Sequence, residues 1–223
     1  MLPPVRDQGQ RGTCLAFAVT AAHEMGRAEG DPVEEDLSEE ALYWGCKVVD
    51  GQWRSGTRFA SAAVAIGSSG QPLDAVWPYD PTRPEGAAYH PPTLPNEDWY
   101  KSGLATAALD LAAVRAALDG GRPVLLGVAV FDTLFSPTAE GRVEAPPATA
   151  PRRGRHAVLA VGYETGALLI RNSWGTTWAL GGYAWLSDEY VERHANEAWV
   201  LQPAPAVISQ AQQPPAGDVY GDQ

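Results

Sequence analysis

Four polar side chains have the types and settings needed for nucleophilic catalysis on a carbonyl carbon. Cys14 begins an apolar run, His156 lies in RHAVLAVGY, and Asn172 lies in LIRNSWGTTW. A thiolate attacks carbonyl carbon, a histidine accepts the thiol proton, and an amide orients the histidine. Gln8, six residues ahead of Cys14, can donate its side-chain amide to the resulting oxyanion. The four residues therefore predict a cysteine nucleophile with its supporting groups.

The residues before Cys14 predict a reactive thiol at the start of a helix. Gly9 and Gly12 allow a tight backbone path, and Thr13 suits an N-cap position. The partial positive charge at a helix N-terminus favours a thiolate. Taken alone, Cys14 fits a buried structural cysteine equally well, because the following helix is rich in apolar residues. The distant histidine and asparagine segments favour the catalytic interpretation.

Several segments resemble, in order and spacing, the papain family of cysteine peptidases, in particular its short bacterial-type members without a prosegment. The matching stretches are VRDQGQRGTCLAF, DLSEEALY, QPLDAVWPYD, HAVLAVGY and IRNSWGTTWALGGYAWL, and they span most of residues 2–200. The resemblance implies an α+β, papain-like two-lobe fold. One lobe is helical, with a central helix that bears the nucleophile, and the other is antiparallel and β-barrel-like.

The resemblance also implies a role for each candidate catalytic residue. Cys14 is the nucleophile, and His156 is the general base and acid. Asn172 orients the imidazole, while Gln8 and the Cys14 backbone amide stabilise the oxyanion. Trp174 resembles the family tryptophan that shields the histidine–asparagine hydrogen bond from water.

The substrate-binding residues implied by the resemblance are Gly56, Arg58 and Trp174. Gly56, in RSGTRFA, would offer backbone hydrogen bonds to a peptide, and Arg58 would contribute to a pocket wall. No cofactor is implied. Two cysteines and four histidines stand at no spacing typical of a zinc site, so no metal is expected.

Three positions beside the predicted catalytic residues depart from the usual family pattern. Leu15 follows the nucleophile in place of tryptophan, and Arg11 stands where a disulfide-forming cysteine is usual. Arg155 precedes the histidine where an acidic or neutral residue is common, and a charge pointing inward there would disfavour the imidazolium. We expect a solvated arginine beside the cleft, so none of the three removes a catalytic role.

The charge and the cysteine content exclude several function classes. A net charge of -11 over 223 residues disfavours a surface that binds a phosphate backbone, so no nucleic-acid partner is expected. Cys14 and Cys46 are the only cysteines, and pairing them would consume the nucleophile, so no disulfide is expected. The N-terminus does not resemble a signal peptide, and no stretch is long and apolar enough to span a membrane. We therefore expect a cytoplasmic location, no membrane contact, and protein or peptide substrates.

Periodicity and turn residues predict the elements that carry these side chains. Helices are expected over 14–27, 37–44, 58–67 and 110–119, and strands over 124–131, 156–163, 167–172, 182–186 and 197–201. The long loop 132–154 can form one wall of the cleft, with its arginines solvated. We expect one peptidase domain over 1–202, helical over roughly 13–100 and β-rich over 101–202, followed by a mostly disordered tail over 203–223.

The sequence thus predicts a papain-like cysteine peptidase that hydrolyses peptide bonds through a thioester acyl-enzyme. If an amine rather than water captured the acyl-enzyme, the same site would make a transpeptidase or ligase. The other alternative is a catalytically silent module that holds a peptide in the cleft, because intact residue identities do not by themselves assemble a site.

Overall fold

The computed structural model describes residues 5–28, 36–84, 86, 99–202 and 220–221. Within them, the helices are α1 (Cys14–Ala28), α2 (Glu39–Asp50), α3 (Phe59–Ser68), α4 (Leu111–Asp119), α5 (Asp132–Phe135) and α6 (Asp188–His194). The strands are β1 (Gly103–Thr106), β2 (Val124–Val130), β3 (Arg142–Val143), β4 (Gly154–Glu164), β5 (Ala167–Arg171), β6 (Tyr183–Ser187) and β7 (Ala195–Gln202). Three helices therefore precede the first strand.

The strands form one seven-stranded sheet in the order β1-β7-β2-β4-β5-β6-β3. Neighbouring strands are antiparallel except β3 and β6, which run parallel. The sheet is therefore mixed, whereas the sequence predicts only antiparallel pairing. The difference arises because the two-residue β3 lies inside the long 132–154 loop, where the sequence predicts no strand.

The core has two apolar clusters, and α1 lies in the first of them. Leu15 and Val19 of α1 have no exposed surface and pack with Leu42 of α2 and Phe59 of α3. The other side of α1 packs against β4. Helices on one side and the sheet on the other explain why nearly every face of α1 is apolar. The second cluster lies on the sheet and includes Val158 of β4.

α2 is capped at both ends by its own sequence. Ser38 Oγ accepts a first-turn backbone N–H at 3.0 Å, and Gly51 has the left-handed φ of 65° that closes a helix C-terminus. The helix therefore runs to Asp50 and does not end at residue 44 as predicted. Its additional turns carry Cys46 and Lys47, both buried.

The sequence predicts a mostly disordered C-terminal tail and no membrane-spanning stretch. Most of the tail predicted to be disordered, residues 203–219 and 222–223, lies outside the described residues. Its two described residues, Tyr220 and Gly221, lie against the rest of the chain. Across residues 5–28, 36–84 and 99–202, no helix combines the length and apolar content that crossing a bilayer requires.

Candidate active site

The imidazole of His156 is bonded to the side chain of Asn172. His156 Nε2 lies 2.6 Å from Asn172 Oδ1, and the same oxygen accepts the backbone N–H of Ser173 at 2.8 Å. A carboxamide oxygen only accepts, so Nε2 is the protonated nitrogen of the neutral ring. This tautomer leaves Nδ1 unprotonated, which makes it the ring nitrogen that can accept a thiol proton.

Neighbouring strands bring His156 and Asn172 together. His156 is the third residue of β4, and Asn172 directly follows β5, which pairs antiparallel with β4. The Asn172 backbone N–H donates to Gly182 O at 3.0 Å, which fixes the chain where β5 ends. The structure thus places the two residues in contact across a hairpin.

Aromatic rings cover the imidazole. The ring of Trp174 lies 4.7 Å from that of His156, tilted by 34°, and Phe135 stacks on Trp174 at 5.2 Å. His156 has no exposed surface. This burial lowers the pKa of His156 from 6.5 to about 4, although the hydrogen bond with Asn172 opposes the shift. Trp174 therefore lies where a shield for the histidine–asparagine bond is needed.

Cys14 is the first residue of α1, and its side chain is buried. Helical hydrogen bonding begins one residue earlier, where Phe17 N–H donates to Thr13 O at 3.1 Å. Because α1 packs along β4, Cys14 shares an apolar cluster with Ala157, the residue after His156. The predicted nucleophile and base therefore belong to neighbouring packed elements, with the thiol at the positive end of the helix.

Gln8 is held firmly between the nucleophile segment and the end of β5. Its backbone N–H donates to Ser173 O at 2.8 Å, and its Oε1 accepts from Ser173 Oγ at 2.6 Å. Its Nε2 donates one proton to Arg11 O at 2.7 Å. Because Ser173 follows Asn172, the candidate oxyanion donor and the candidate orienting residue are connected through a single residue.

Tyr79 braces the segment before the nucleophile, a role that the sequence does not predict. Its hydroxyl donates to Gln8 O at 2.7 Å. Since that uses its only proton, the hydroxyl accepts from Thr13 Oγ1, which lies 2.8 Å away. The ring also meets Phe17 edge-on at 4.7 Å. The available sequence signal is the WPYD stretch, which fits the family pattern without assigning the tyrosine a function.

A cavity of about 420 Å³ adjoins these residues, and its walls include Gln8, Trp174, Phe135 and Gly221. Phe135 belongs to α5 in the 132–154 loop, so this loop does supply part of a wall. The cavity lies beside both the candidate oxyanion donor and the tryptophan ring that contacts the imidazole. It is large enough to accept several atoms of a substrate.

The remaining predicted substrate-binding residues contact α2. Gly56 O accepts from Lys47 Nζ at 2.7 Å, and Arg58 Nη1 lies 3.5 Å from Asp50 Oδ1. The next residue, Thr57, forms an antiparallel bridge with Tyr220, and the hydrogen bonds of Gly56 to a substrate stay a prediction. The contribution of Arg58 to a substrate pocket stays a prediction.

The family follows from comparison with known proteins. The model of the papain family of cysteine proteases matches residues 1–200. The chain belongs to this family. The resemblance inferred from the nucleophile, histidine and asparagine segments is therefore confirmed.

Papain-family relatives include longer proteins than this chain. It is 27% identical over 213 residues to an uncharacterized peptidase C1-like protein of Acanthamoeba polyphaga mimivirus, an alignment covering 88% of this chain and 68% of that protein. It is 26% identical over 198 residues to Cysteine proteinase 3 of Entamoeba histolytica, covering 85% of this chain and 61% of that protein. The chain thus spans roughly two thirds of the length of these relatives.

A solved papain-family structure shows the same fold. Xylellain, a cysteine protease from Xylella fastidiosa, superimposes with a TM-score of 0.81 at 26% identity, covering 91% of this chain and 84% of that one. The predicted α+β, papain-like two-lobe fold is confirmed.

Proposed function

We propose that this chain hydrolyses peptide bonds with Cys14 as the nucleophile, His156 as the general base and acid, and Asn172 as the orienting residue. The hydrogen bond between His156 Nε2 and Asn172 Oδ1 carries the proposal. Because Nε2 holds the ring proton, Nδ1 is the nitrogen that can accept a proton. Membership of the papain family supports the reaction class. Protein or peptide chains are the proposed substrates.

The first half of the reaction forms an acyl-enzyme. His156 Nδ1 takes the thiol proton of Cys14, and the sulfur attacks the carbonyl carbon of the scissile bond. The carbonyl oxygen becomes an oxyanion, which the Cys14 backbone N–H and Gln8 stabilise. Gln8 Nε2 carries two protons and gives one to Arg11 O, so the second serves the oxyanion. The imidazolium then protonates the leaving amine, and a thioester remains.

The second half releases the acid. His156 Nδ1 takes a proton from water, the resulting hydroxide attacks the thioester carbonyl, and the Cys14 thiol leaves with the proton returned by the imidazolium. Throughout, Asn172 keeps the imidazole in one orientation and stabilises its charged form by accepting from Nε2. Trp174 and Phe135 keep water from that hydrogen bond.

The test is covalent labelling with a broad epoxide inhibitor of papain-like enzymes at neutral pH, read by mass spectrometry. We expect one adduct on Cys14 in the wild type and none in Cys14→Ala. Cys46→Ala is the matched control, because burial raises the pKa of the Cys46 thiol to about 12 and keeps it unreactive. Adducts on Cys46, or equal labelling of wild type and Cys14→Ala, would contradict the proposal.

A fluorogenic peptide library then tests turnover. We expect hydrolysis by the wild type and none by Cys14→Ala. Adding a primary amine separates hydrolysis from acyl transfer, since a transpeptidase would release an amine-capped product in place of the free acid. Predominant amide product would replace the peptidase proposal with the transferase one.

We also propose a bacterial-type peptidase working in a reducing compartment such as the cytoplasm. The similarity to xylellain supports the first part. The free thiols of Cys14 and Cys46 support the second. Cell fractionation with a tagged full-length protein tests the location, and recovery in an oxidising compartment would contradict it.

A further inference from the structure

Tyr220 pairs with Thr57 as one strand pairs with another. Thr57 N–H donates to Tyr220 O at 3.1 Å, and Tyr220 N–H donates to Thr57 O at 2.8 Å, in an antiparallel bridge. The Tyr220 side chain has no exposed surface. Extended peptides are commonly bound to proteins through backbone hydrogen bonds of this kind, with a pocket for alternate side chains. Tyr220 is therefore held as a bound peptide residue would be.

Gly221 lies between the nucleophile helix and the histidine strand. Its N–H donates at 3.2 Å to the carbonyl of Arg155, the residue before His156. A Cβ at Gly221 would lie 2.5 Å from Gly12 O, and Gly12 stands two residues before Cys14. This contact and the φ of 108° at Gly221 favour glycine over any other residue. Gly221 thus contacts the segments that carry Cys14 and His156, and it borders the same cavity as Gln8 and Trp174.

A fitted aromatic pocket receives the ring of Tyr220. The ring meets Phe59 edge-on at 5.0 Å, and Phe59 stacks on Trp199 at 5.6 Å. Gly127 of β2 provides the space, because a Cβ there would lie only 2.2 Å from the Tyr220 hydroxyl oxygen. The pocket therefore accepts a flat aromatic side chain, and its depth depends on a single glycine.

Polar groups at the end of this pocket match a phenol. The Tyr220 hydroxyl lies 2.8 Å from Glu197 Oε1 and 3.2 Å from Asn196 Oδ1, so both oxygens can accept its one proton. A register shift between β2 and β7 at this point allows two consecutive side chains to reach one group. Trp199 Nε1 donates to the other Glu197 oxygen at 2.9 Å, which fixes the carboxylate. A phenylalanine in the pocket would leave these acceptors without the phenolic donor.

The carbonyl of Gly221 has a hydrogen-bond partner other than the candidate oxyanion donor. Ser55 Oγ donates to Gly221 O at 3.4 Å, whereas Gln8 Nε2 donates to Arg11 O. The segment therefore occupies part of the cleft with its carbonyl hydrogen bonded to Ser55 and not to Gln8. This is the arrangement of a resident ligand that substrate must displace.

We propose that Tyr220 and Gly221 are an internal ligand of the cleft, and that the pocket of Phe59, Trp199, Gly127 and Glu197 selects peptides with a tyrosine followed by glycine at the cleavage site. The selectivity for substrates rests on the proposed peptidase function, whereas occupation of the cleft by the tail does not. Competition from the tail raises the apparent KM and leaves kcat unchanged, because the substrate meets a cleft that is only partly vacant.

Hydrogen exchange on the full chain tests occupation independently of activity. We expect slow exchange at the amides of Thr57, Tyr220 and Gly221 in the wild type. Tyr220→Ala removes the anchor, and Gly127→Ala fills the pocket, so both variants should lose protection at these amides while β4 and β5 keep theirs. Exchange of the wild-type 219–221 segment at the rate of an unstructured peptide would overturn the proposal.

Binding of a synthetic peptide provides a second readout that needs no catalysis. The peptide GDVYGDQ, which repeats residues 217–223, should bind the full-length Tyr220→Ala protein and should bind the wild type more weakly. The matched peptide GDVAGDQ should bind neither. Equal binding of the two peptides would overturn the assignment of the pocket.

Kinetics test the substrate preference. With fluorogenic peptides carrying Tyr-Gly, Phe-Gly or Ala-Gly before the reporter amine, we expect the order Tyr above Phe above Ala in kcat/KM. Tyr220→Ala should lower KM for the Tyr-Gly peptide about tenfold if the tail fills the cleft about nine-tenths of the time, with kcat unchanged. Tyr220→Phe should fall between wild type and Tyr220→Ala. An unchanged KM, or no preference for tyrosine, would overturn the proposal.

The two proposals fail in distinguishable ways. If neither wild type nor Tyr220→Ala reacts with the epoxide, the peptidase proposal fails, and exchange and peptide binding still decide the role of the tail. If both react and turn over peptides at the same KM, the peptidase proposal stands and the internal ligand is rejected.

Discussion

Arg11 and Glu40 form a buried ion pair that fastens the segment before the nucleophile to α2. Arg11 Nη2 lies 3.0 Å from Glu40 Oε1, and the two side chains are 6% and 0% exposed. The guanidinium also donates to Asp80 O at 2.9 Å and lies over the ring of Tyr79 at 5.0 Å. Arg11 stands where a disulfide-forming cysteine is usual in the family. In this chain, the Arg11–Glu40 ion pair joins that position to α2.

Removing one member of this ion pair should destabilise the folded protein. Arg11→Met leaves the Glu40 carboxylate buried without its cation, and we expect the free energy of unfolding to fall by about 3–5 kcal/mol. Urea denaturation followed by tryptophan fluorescence measures the change. The double variant Arg11→Met/Glu40→Met removes both charges and should recover part of the loss. An Arg11→Met variant as stable as wild type would contradict this account. A double variant that loses more stability than Arg11→Met and Glu40→Met lose together would also contradict it.

Asn172→Ala should reduce activity without abolishing it. The change removes the acceptor for His156 Nε2–H, a hydrogen bond that strengthens when the imidazole is charged. Such bonds contribute about 1.5–3 kcal/mol, which corresponds to a loss in kcat/KM of roughly 10- to 150-fold. Steady-state kinetics on a fluorogenic peptide checks this against Cys14→Ala, for which no turnover is expected. If folded Asn172→Ala is as inactive as Cys14→Ala, Asn172 does more than orient the base.

The buried neutral His156 should make the protein less stable in acid. Burial lowers the pKa of this residue from 6.5 to about 4. Between these values the unfolded chain binds more protons than the folded one, so the free energy of unfolding rises with pH. Lowering the pH from 7 to 4 should therefore remove up to about 3 kcal/mol through His156 alone.

Denaturation of wild type and His156→Gln at a series of pH values isolates this contribution. His23, whose pKa burial also lowers, is present in both proteins, so its effect cancels in the comparison. The wild type should lose more stability between pH 6.5 and 4 than His156→Gln. Parallel pH profiles would show that His156 titrates alike in the folded and unfolded states.

Tyr79→Phe should loosen the oxyanion segment. The hydroxyl connects Gln8 O with Thr13 Oγ1, and its loss leaves two groups near the nucleophile without this partner. We expect a stability loss of about 1–2 kcal/mol and a lower kcat with little change in KM. Tyr163→Phe, which removes the hydrogen bond from a 40% exposed tyrosine to Asp119, is the matched control and should leave kcat unchanged with a smaller loss of stability. Wild-type kcat in Tyr79→Phe would argue against a positioning role.

The nature of the candidate catalytic residues could be predicted from the sequence, because their chemistry is a property of each residue and its local stretch. A cysteine at the head of an apolar helix, a histidine early in an apolar strand and an asparagine after the next strand are all visible in short segments. The helices and strands also follow from local signals, such as the Asp110 cap of α4, whose side chain accepts Ala113 N–H at 2.8 Å. One exception is the end of α2, because Gly51 closes the helix several residues beyond the predicted limit. The others are the short elements β1, α5 and β3, which the sequence does not predict.

Contacts between distant segments were decided by the tertiary structure. Arg11 meets Glu40 across 29 positions, Tyr79 meets Thr13 across 66, and Gln8 meets Ser173 across 165. No local pattern specifies such a partner, because many arginines, tyrosines and glutamines would satisfy the same sequence rules. The tautomer of His156 is likewise fixed by the backbone N–H that directs the Asn172 oxygen toward the ring. Tyr220 shows the limit most plainly: within a polar, proline-rich stretch it gives no local sign of structure, and only a pocket assembled from α3, β2 and β7 gives it a place.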